Sequence, residues 1–166
     1  MLMKAIVKRM IIPACLLLTA HAYAQKYILP DGEYMDTTSN PNSACKDYTI
    51  YYYQVGGKYP KSSITLLKEV QLFLIHQNQL FKGSGYITFR FRIDCEGQRT
   101  KRTQVLQTDE HYKSYHFNKT LVNELYLFLN TLNNWKAAKD KRGNFFSYIA
   151  LLTFKIKDGK VINIIP

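Results

Sequence analysis

Residues Tyr86 to Cys95 alternate strictly between apolar and polar side chains. Ile87, Phe89, Phe91, Ile93 and Cys95 fall on one side. Tyr86, Thr88, Arg90, Arg92 and Asp94 fall on the other. Successive side chains of a strand point to opposite faces, so this stretch reads as a strand with one face on a core and one in water. A slip of one residue would exchange the two faces, so its pairing register is strongly constrained. A wet face is typical of antiparallel sheets, and the apolar face must be covered by another layer.

The flanking sequence supplies that layer. Cys95-Glu96-Gly97-Gln98 reads as a hairpin turn with Gly97 in the left-handed position, and Arg99 to Gln107 as the return strand. Ser62 or Ser63 can cap a helix in which Ile64, Leu67, Val70 and Leu74 recur at helical spacing as far as about Gln79. Phe117, Leu121, Leu125, Phe128 and Leu132 form the stripe of a second helix, starting between Ser114 and Asn118 and ending near Asn133-Asn134. A long strand is expected from Asn144 to Lys157. A tight Asp158-Gly159 turn and a short strand from Val161 to Ile165 follow. Asp47 to Val55, dense in Tyr, Thr and Ile, reads as an additional N-terminal strand ended by Gly56-Gly57. The expected fold class is therefore α+β: an antiparallel sheet of three to four strands, plus that N-terminal strand, with two helices on one face.

The N-terminus has a different character. Lys4, Lys8 and Arg9 precede an apolar run from Met10, and Ala22-Tyr23-Ala24 matches the small-x-small pattern of a signal peptidase site. Residues 1–24 are expected to be a signal peptide, with the mature chain starting at Gln25. The run is interrupted by Pro13 and is shorter than the ~20 apolar residues of a spanning helix. Residues 25–44, rich in Asp, Asn, Thr, Ser and Pro, read as a flexible leader, and residues 45–166 as the folded domain. The expected localisation is the periplasm or another exported compartment. Cys45 and Cys95 remain after cleavage. In an oxidising compartment they form either one disulfide or two separate buried thiols.

The formal net charge is +11. For an exported chain that bias points to acidic proteins or anionic lipid headgroups rather than to nucleic acid. Arg90, Arg92, Arg99 and Arg102, together with Lys101, gather around the first hairpin as a candidate basic face. The alternative is an ordinary solvated surface.

Motifs along the second half occur in a telling order. Tyr59-Pro60 precedes the first helix, and Gly85 to Asp94 leads into the Gly97 turn. Trp135-Lys136-Ala137-Ala138 follows the second helix. Gly143 and a strand ending Phe154-Lys155-Ile156-Lys157-Asp158-Gly159 close the chain. From Tyr59 to Ile165 the sequence resembles the TonB C-terminal domain, in a short Bacteroidetes-type version. The resemblance implies a periplasmic adaptor whose last long strand offers its free edge to an extended segment of an outer-membrane transporter. Carried onto this chain, that edge is Phe145 to Thr153, with Phe145, Ser147, Ile149, Leu151 and Thr153 as the partner-binding positions. A full TonB has a retained membrane anchor and a long Pro-rich spacer, whereas this N-terminus reads as cleaved and its five prolines form no tract. The Asp158-Gly159 hairpin is also placed to fold Val161 to Ile165 back onto the candidate edge, which would protect it and obstruct strand addition.

Little else in the sequence carries chemistry. His76 falls in the first helix. Asp109, His111 and His116 lie before the second, at a spacing that fits no common metal site. Cys95 paired with a histidine is a remote nucleophile candidate. Trp135 is expected as a core plug, with a partner anchor as the alternative. No catalytic residue, metal, nucleic acid or small-molecule cofactor is expected, and membrane contact is peripheral unless the N-terminus is retained. The expected function is a non-enzymatic periplasmic protein-binding domain, linked to outer-membrane transport. The alternatives are an envelope structural or interaction protein that kept the fold without transporter binding, or a small exported enzyme.

Overall fold

The computed structural model describes residues 33–45, 50–75 and 80–166. The expected signal segment, the start of the leader, residues 47–49 of the expected first strand, and His76 lie outside the described residues. Among the described residues, two α-helices and a five-stranded antiparallel sheet form an α+β fold, as the alternation and the helical stripes imply. The strands of the sheet are β1 (Glu33–Asp36), β2 (Gly85–Ile93), β3 (Arg99–Asp109), β6 (Tyr148–Lys157) and β7 (Lys160–Ile165). Their spatial order is β1-β3-β2-β6-β7. A separate two-stranded ribbon pairs β4 (Ala138–Lys139) with β5 (Phe145–Phe146).

The central strand behaves as its alternation requires. Ile87, Phe89, Phe91 and Ile93 are buried, and the intervening residues are half-exposed. Helix α1 (Ser63–Leu74) begins at Ser62, whose hydroxyl accepts the Thr65 amide at 3.1 Å. Such a cap stabilises by about 1 kcal/mol. Its buried residues are Leu66 and Val70, with Leu67, Phe73 and Leu74 packed beside them. Ile64, expected on the apolar stripe, is exposed. The face that meets the sheet is thus rotated toward Leu66. Helix α2 (Lys119–Asn130) is capped by Asn118 and buries Leu121, Leu125 and Phe128 as expected. Phe89, Phe128, Phe154 and Tyr126 interlock at ring separations of 5.9–6.2 Å, so both helices' apolar sides share one core with the inward face of β2 and β6.

Three expectations need correction. The supposed loose leader contributes β1, which pairs with β3. Of the supposed strand from Asp47 to Val55, the described residues 50–55 form a parallel bridge, Tyr51 to Ile149, followed by a 3-10 helix at Tyr52–Gln54. The supposed continuous strand from Asn144 breaks at Ser147, because Phe145 and Phe146 pair with Lys139 and Ala138 while β6 pairs with β2. The Asp158-Gly159 turn forms as expected. Both residues have positive φ, +50° and +73°, the combination that matches the twist of a two-residue hairpin.

Candidate functional site

Helices cover one face of the sheet, and among the described residues no helix covers the other. Register determines what this open face displays. Tyr86 lies between Thr108 and Lys155. Thr88 lies between Leu106 and Thr153, and Arg90 between Gln104 and Leu151. Arg92 faces Ile149. Adjacent strands are roughly 4.8 Å apart, so these residues line one side of the sheet, on which Gln104 and Ile149 are buried.

Aromatic rings hold several of the cations in place. The Arg102 guanidinium stands 5.3 Å from the centroid of the Tyr34 ring, and the Lys155 ammonium 5.9 Å from that of Tyr86. Tyr86 and Tyr112 stack nearly parallel at 5.1 Å. Tyr112 has a φ of +60°, uncommon for a bulky residue, and its side chain is exposed. Hydrogen bonding with Tyr86 raises the Tyr112 pKa above the ordinary phenol value. Thr88 and Thr153 share a hydroxyl–hydroxyl hydrogen bond of 3.0 Å. Partial burial lowers the Arg92 pKa from the usual arginine value. Arg90 Nε is enclosed and meets no acceptor.

The residues singled out in the sequence separate on this framework. Arg90, Arg92 and Arg102 stand on the open face. Arg99 does not. Its guanidinium lies 5.8 Å from the ring centroids of Phe91 and Tyr126, on the helix side, and donates to Thr103 Oγ1 at 2.9 Å and to Asn130 Oδ1. A register irregularity between the partners of Phe91 and Ile93 puts it there. Simple proximity to the hairpin could not reveal this. Lys155, Tyr34 and Tyr112 belong to the face and were missed. Lys155 was readable in principle, since it alternates with buried Phe154 and Ile156.

The expected binding edge is also rearranged. β6 is an interior strand. β7 pairs along Thr153 to Lys157, and the Ile149 amide donates to the Ile50 carbonyl at 2.7 Å. No continuous free edge runs from Phe145 to Thr153. Phe145 lies in the ribbon with the Lys139 ammonium 4.4 Å from its ring centroid, and Ser147 and Ile149 are buried. Leu151 and Thr153 instead join Arg90 and Thr88 on the open face. Two sets of candidate residues, chosen for different reasons, thus converge on one surface.

Cys45 and Cys95 are joined in a disulfide with a Cα–Cα distance of 5.4 Å. Asp109 serves a turn. Its Oδ1 accepts the amides of Lys113 and His111, which lowers its pKa from the ordinary carboxylate value. His116 faces Glu33 at 3.1 Å. Among the described residues no three His, Cys, Asp or Glu side chains gather as a metal site. None of their helices is long and apolar enough to cross a membrane.

Comparison with family models, with curated proteins and with solved structures found no match. The open face is therefore read from its own chemistry. It offers fixed cations, tyrosine rings and hydroxyls on a rigid sheet, which suits non-covalent recognition of a macromolecular surface.

Proposed function

We propose that this chain is an exported, non-enzymatic domain that binds another protein of the cell envelope, and that its C-terminal part is TonB-like. One observation carries the reading. Motifs that lie far apart in the sequence, and that together carry the resemblance, meet in space. The Tyr59 and Trp135 rings pack edge-on at 4.7 Å, and Trp135 meets Phe91 of the central strand at 5.1 Å. The Cys45–Cys95 bridge supports an oxidising compartment.

The position of β7 favours a second form of the reading. β7 pairs with Thr153 to Lys157 and the Ile50 carbonyl takes the Ile149 amide, so the chain itself occupies part of the β6 flank where the resemblance would place a transporter strand. In that form the domain keeps an envelope interaction role without strand addition at β6.

Photo-crosslinking residues placed at Thr88 and Thr153 in the native cell test the proposal. An adduct with an envelope protein is expected. Absence of a protein adduct at both positions, or recovery of the chain with the cytoplasmic fraction, overturns it. Titration of the mature chain with N-terminal peptides of outer-membrane transporters separates the two forms. Binding that shifts the amides of β6 selects strand addition. Adducts without such binding select the second form.

A further inference from the structure

We propose that the outer side of helix α1 docks on the surface of an anionic phospholipid bilayer. This goes beyond the protein-binding reading and uses the other layer of the domain.

The helix carries apolar residues on the side that faces away from the core. Ile64, Lys68, Leu72 and Ile75 recur at helical spacing, so they lie on one side of α1, opposite the buried Leu66 and Val70. Ile64, Leu72 and Ile75 are 69%, 64% and 65% exposed. A surface helix ordinarily turns polar residues to water on that side. Leu80, 94% exposed, lines one cleft with Ile75 and extends the patch past the end of the helix. Neighbouring exposed apolar groups of this kind mark contacts with a protein or a membrane.

Charge favours the membrane. Between Lys58 and Gly85 the sequence has four lysines, Lys58, Lys61, Lys68 and Lys82, against one carboxylate, Glu69. That count includes residues 76–79, which add no acidic side chain. Glu69 is held by Lys61 at 2.6 Å. Helix α2, which meets α1 where Phe128 packs on Phe73, adds Lys119 and Glu124, and these offset each other. A basic surface is drawn to anionic headgroups. Lys68 is exposed between Ile64 and Leu72. A lysine so placed lays its stem along the apolar side chains while its ammonium reaches a lipid phosphate.

A second copy of the chain fits this stripe worse. A twofold contact along it would bury both Lys68 ammoniums near its centre, which is costly without a carboxylate to pair them. A protein partner also fits worse. Protein interfaces take most of their energy from Trp, Tyr and Arg anchors, and the four residues of the stripe include none. Aliphatic side chains with lysine among them suit a helix that lies in a membrane interface. α1 has 12 residues, too few to span a bilayer, so the contact is superficial. With α1 against the headgroups, the open face of β3, β2 and β6 points away from the lipid and stays accessible to a partner.

The test uses the disulfide-bonded protein purified from its native cells. It is mixed with vesicles of phosphatidylglycerol and phosphatidylcholine and, for comparison, with phosphatidylcholine alone. Co-sedimentation with the phosphatidylglycerol vesicles is expected, and it should weaken with added salt. A nitroxide-labelled lipid in those vesicles should broaden the amides of residues 63–75 in the wild type, and those of residues 86–92 much less. Ile64→Gln/Leu72→Gln should weaken binding by more than about tenfold, and Lys68→Gln by about fivefold. Arg102→Gln, on the open face, should leave it nearly unchanged. Thermal melts of every variant show whether a loss reflects unfolding, and the lipid broadening of the wild type needs no variant at all.

Absence of binding to the phosphatidylglycerol vesicles overturns the inference. So does binding that survives Ile64→Gln/Leu72→Gln, which places the contact elsewhere in the chain. A loss in Arg102→Gln equal to that in Lys68→Gln makes net charge the cause and overturns it as well. A concentration-dependent dimer that the double substitution dissolves, without vesicle binding, assigns the stripe to a second copy. None of these results touches the protein-binding reading, which stands or falls on the crosslinks at Thr88 and Thr153, across the sheet from α1.

Discussion

The Tyr148 ring packs so closely on Gly57 that a β-carbon at Gly57 would lie 2.5 Å from Tyr148 Cε2. The ring has no room to retreat. It is fully buried, and its single hydroxyl proton is shared between two acceptors, the Lys136 carbonyl at 2.8 Å and the Gly57 carbonyl at 3.1 Å. Gly57→Ala should therefore cost about 1–3 kcal/mol through overpacking. Urea denaturation read by circular dichroism measures it. An unchanged midpoint would show that the ring can shift.

Burial raises the Tyr148 pKa above the ordinary tyrosine value. The folded protein thus holds a proton that the unfolded chain releases near pH ~10. The resulting stability is complete below that pH and declines as pH rises toward the folded value. Tyr148→Phe should flatten the alkaline limb of a stability–pH curve. The same substitution lowers stability at neutral pH by about 1–3 kcal/mol, because buried carbonyls lose their donor. Parallel alkaline limbs for the two proteins would assign the slope to other tyrosines.

The disulfide joins residues 50 positions apart. Closing a loop of that length in the unfolded chain stabilises by roughly 4 kcal/mol on the chain-entropy model. The bridge ties the segment leading to Ile50, which caps Ile149, to the turn after β2. Reduction, or the Cys45→Ser/Cys95→Ser double variant, should lower the melting temperature. It should also speed hydrogen exchange at the Ile149 amide. Protection at Ile149 that survives reduction would show that the cap holds without the tether.

Trp135 is buried against Tyr59 and Phe91, and its Nε1 donates to the Leu132 carbonyl at 2.8 Å. Trp135→Ala should cost about 3–5 kcal/mol. Trp135→Phe should cost less, since it keeps a ring and loses the hydrogen bond. Chemical denaturation of both variants ranks them. Full stability together with lost partner capture would make Trp135 an anchor instead.

Much of this was readable from local pattern. The two faces of β2 follow from period-two alternation, the buried side of α2 from the Phe117–Leu132 stripe, and the last hairpin from Asp158-Gly159. Each depends on residues within a few positions of one another. β1 was not readable. Glu33–Asp36 is short and shows no alternation, and it is a strand because β3 presents an edge for it to pair with. The segment around Tyr51 likewise has strand-like composition, yet among its described residues only Tyr51 bridges to β6. The candidate site divides along the same line. The outward positions of Arg90 and Arg92 come from alternation. The removal of Arg99 to the helix side, the arrival of Lys155 and Tyr112, and the closing of β6 by β7 come from register and pairing order.

The amino-acid order alone thus determined the fold class, the wet and dry sides of the central strand, and the basic character of the chain. Periodicity and turn chemistry act over a few residues and survive in any context. Tertiary structure alone decided the strand order β1-β3-β2-β6-β7, the joining of Cys45 to Cys95, and the gathering of separate cations and tyrosines on one face. Those features depend on pairing between distant segments, where competing registers differ in free energy only through how the whole sheet packs on its core.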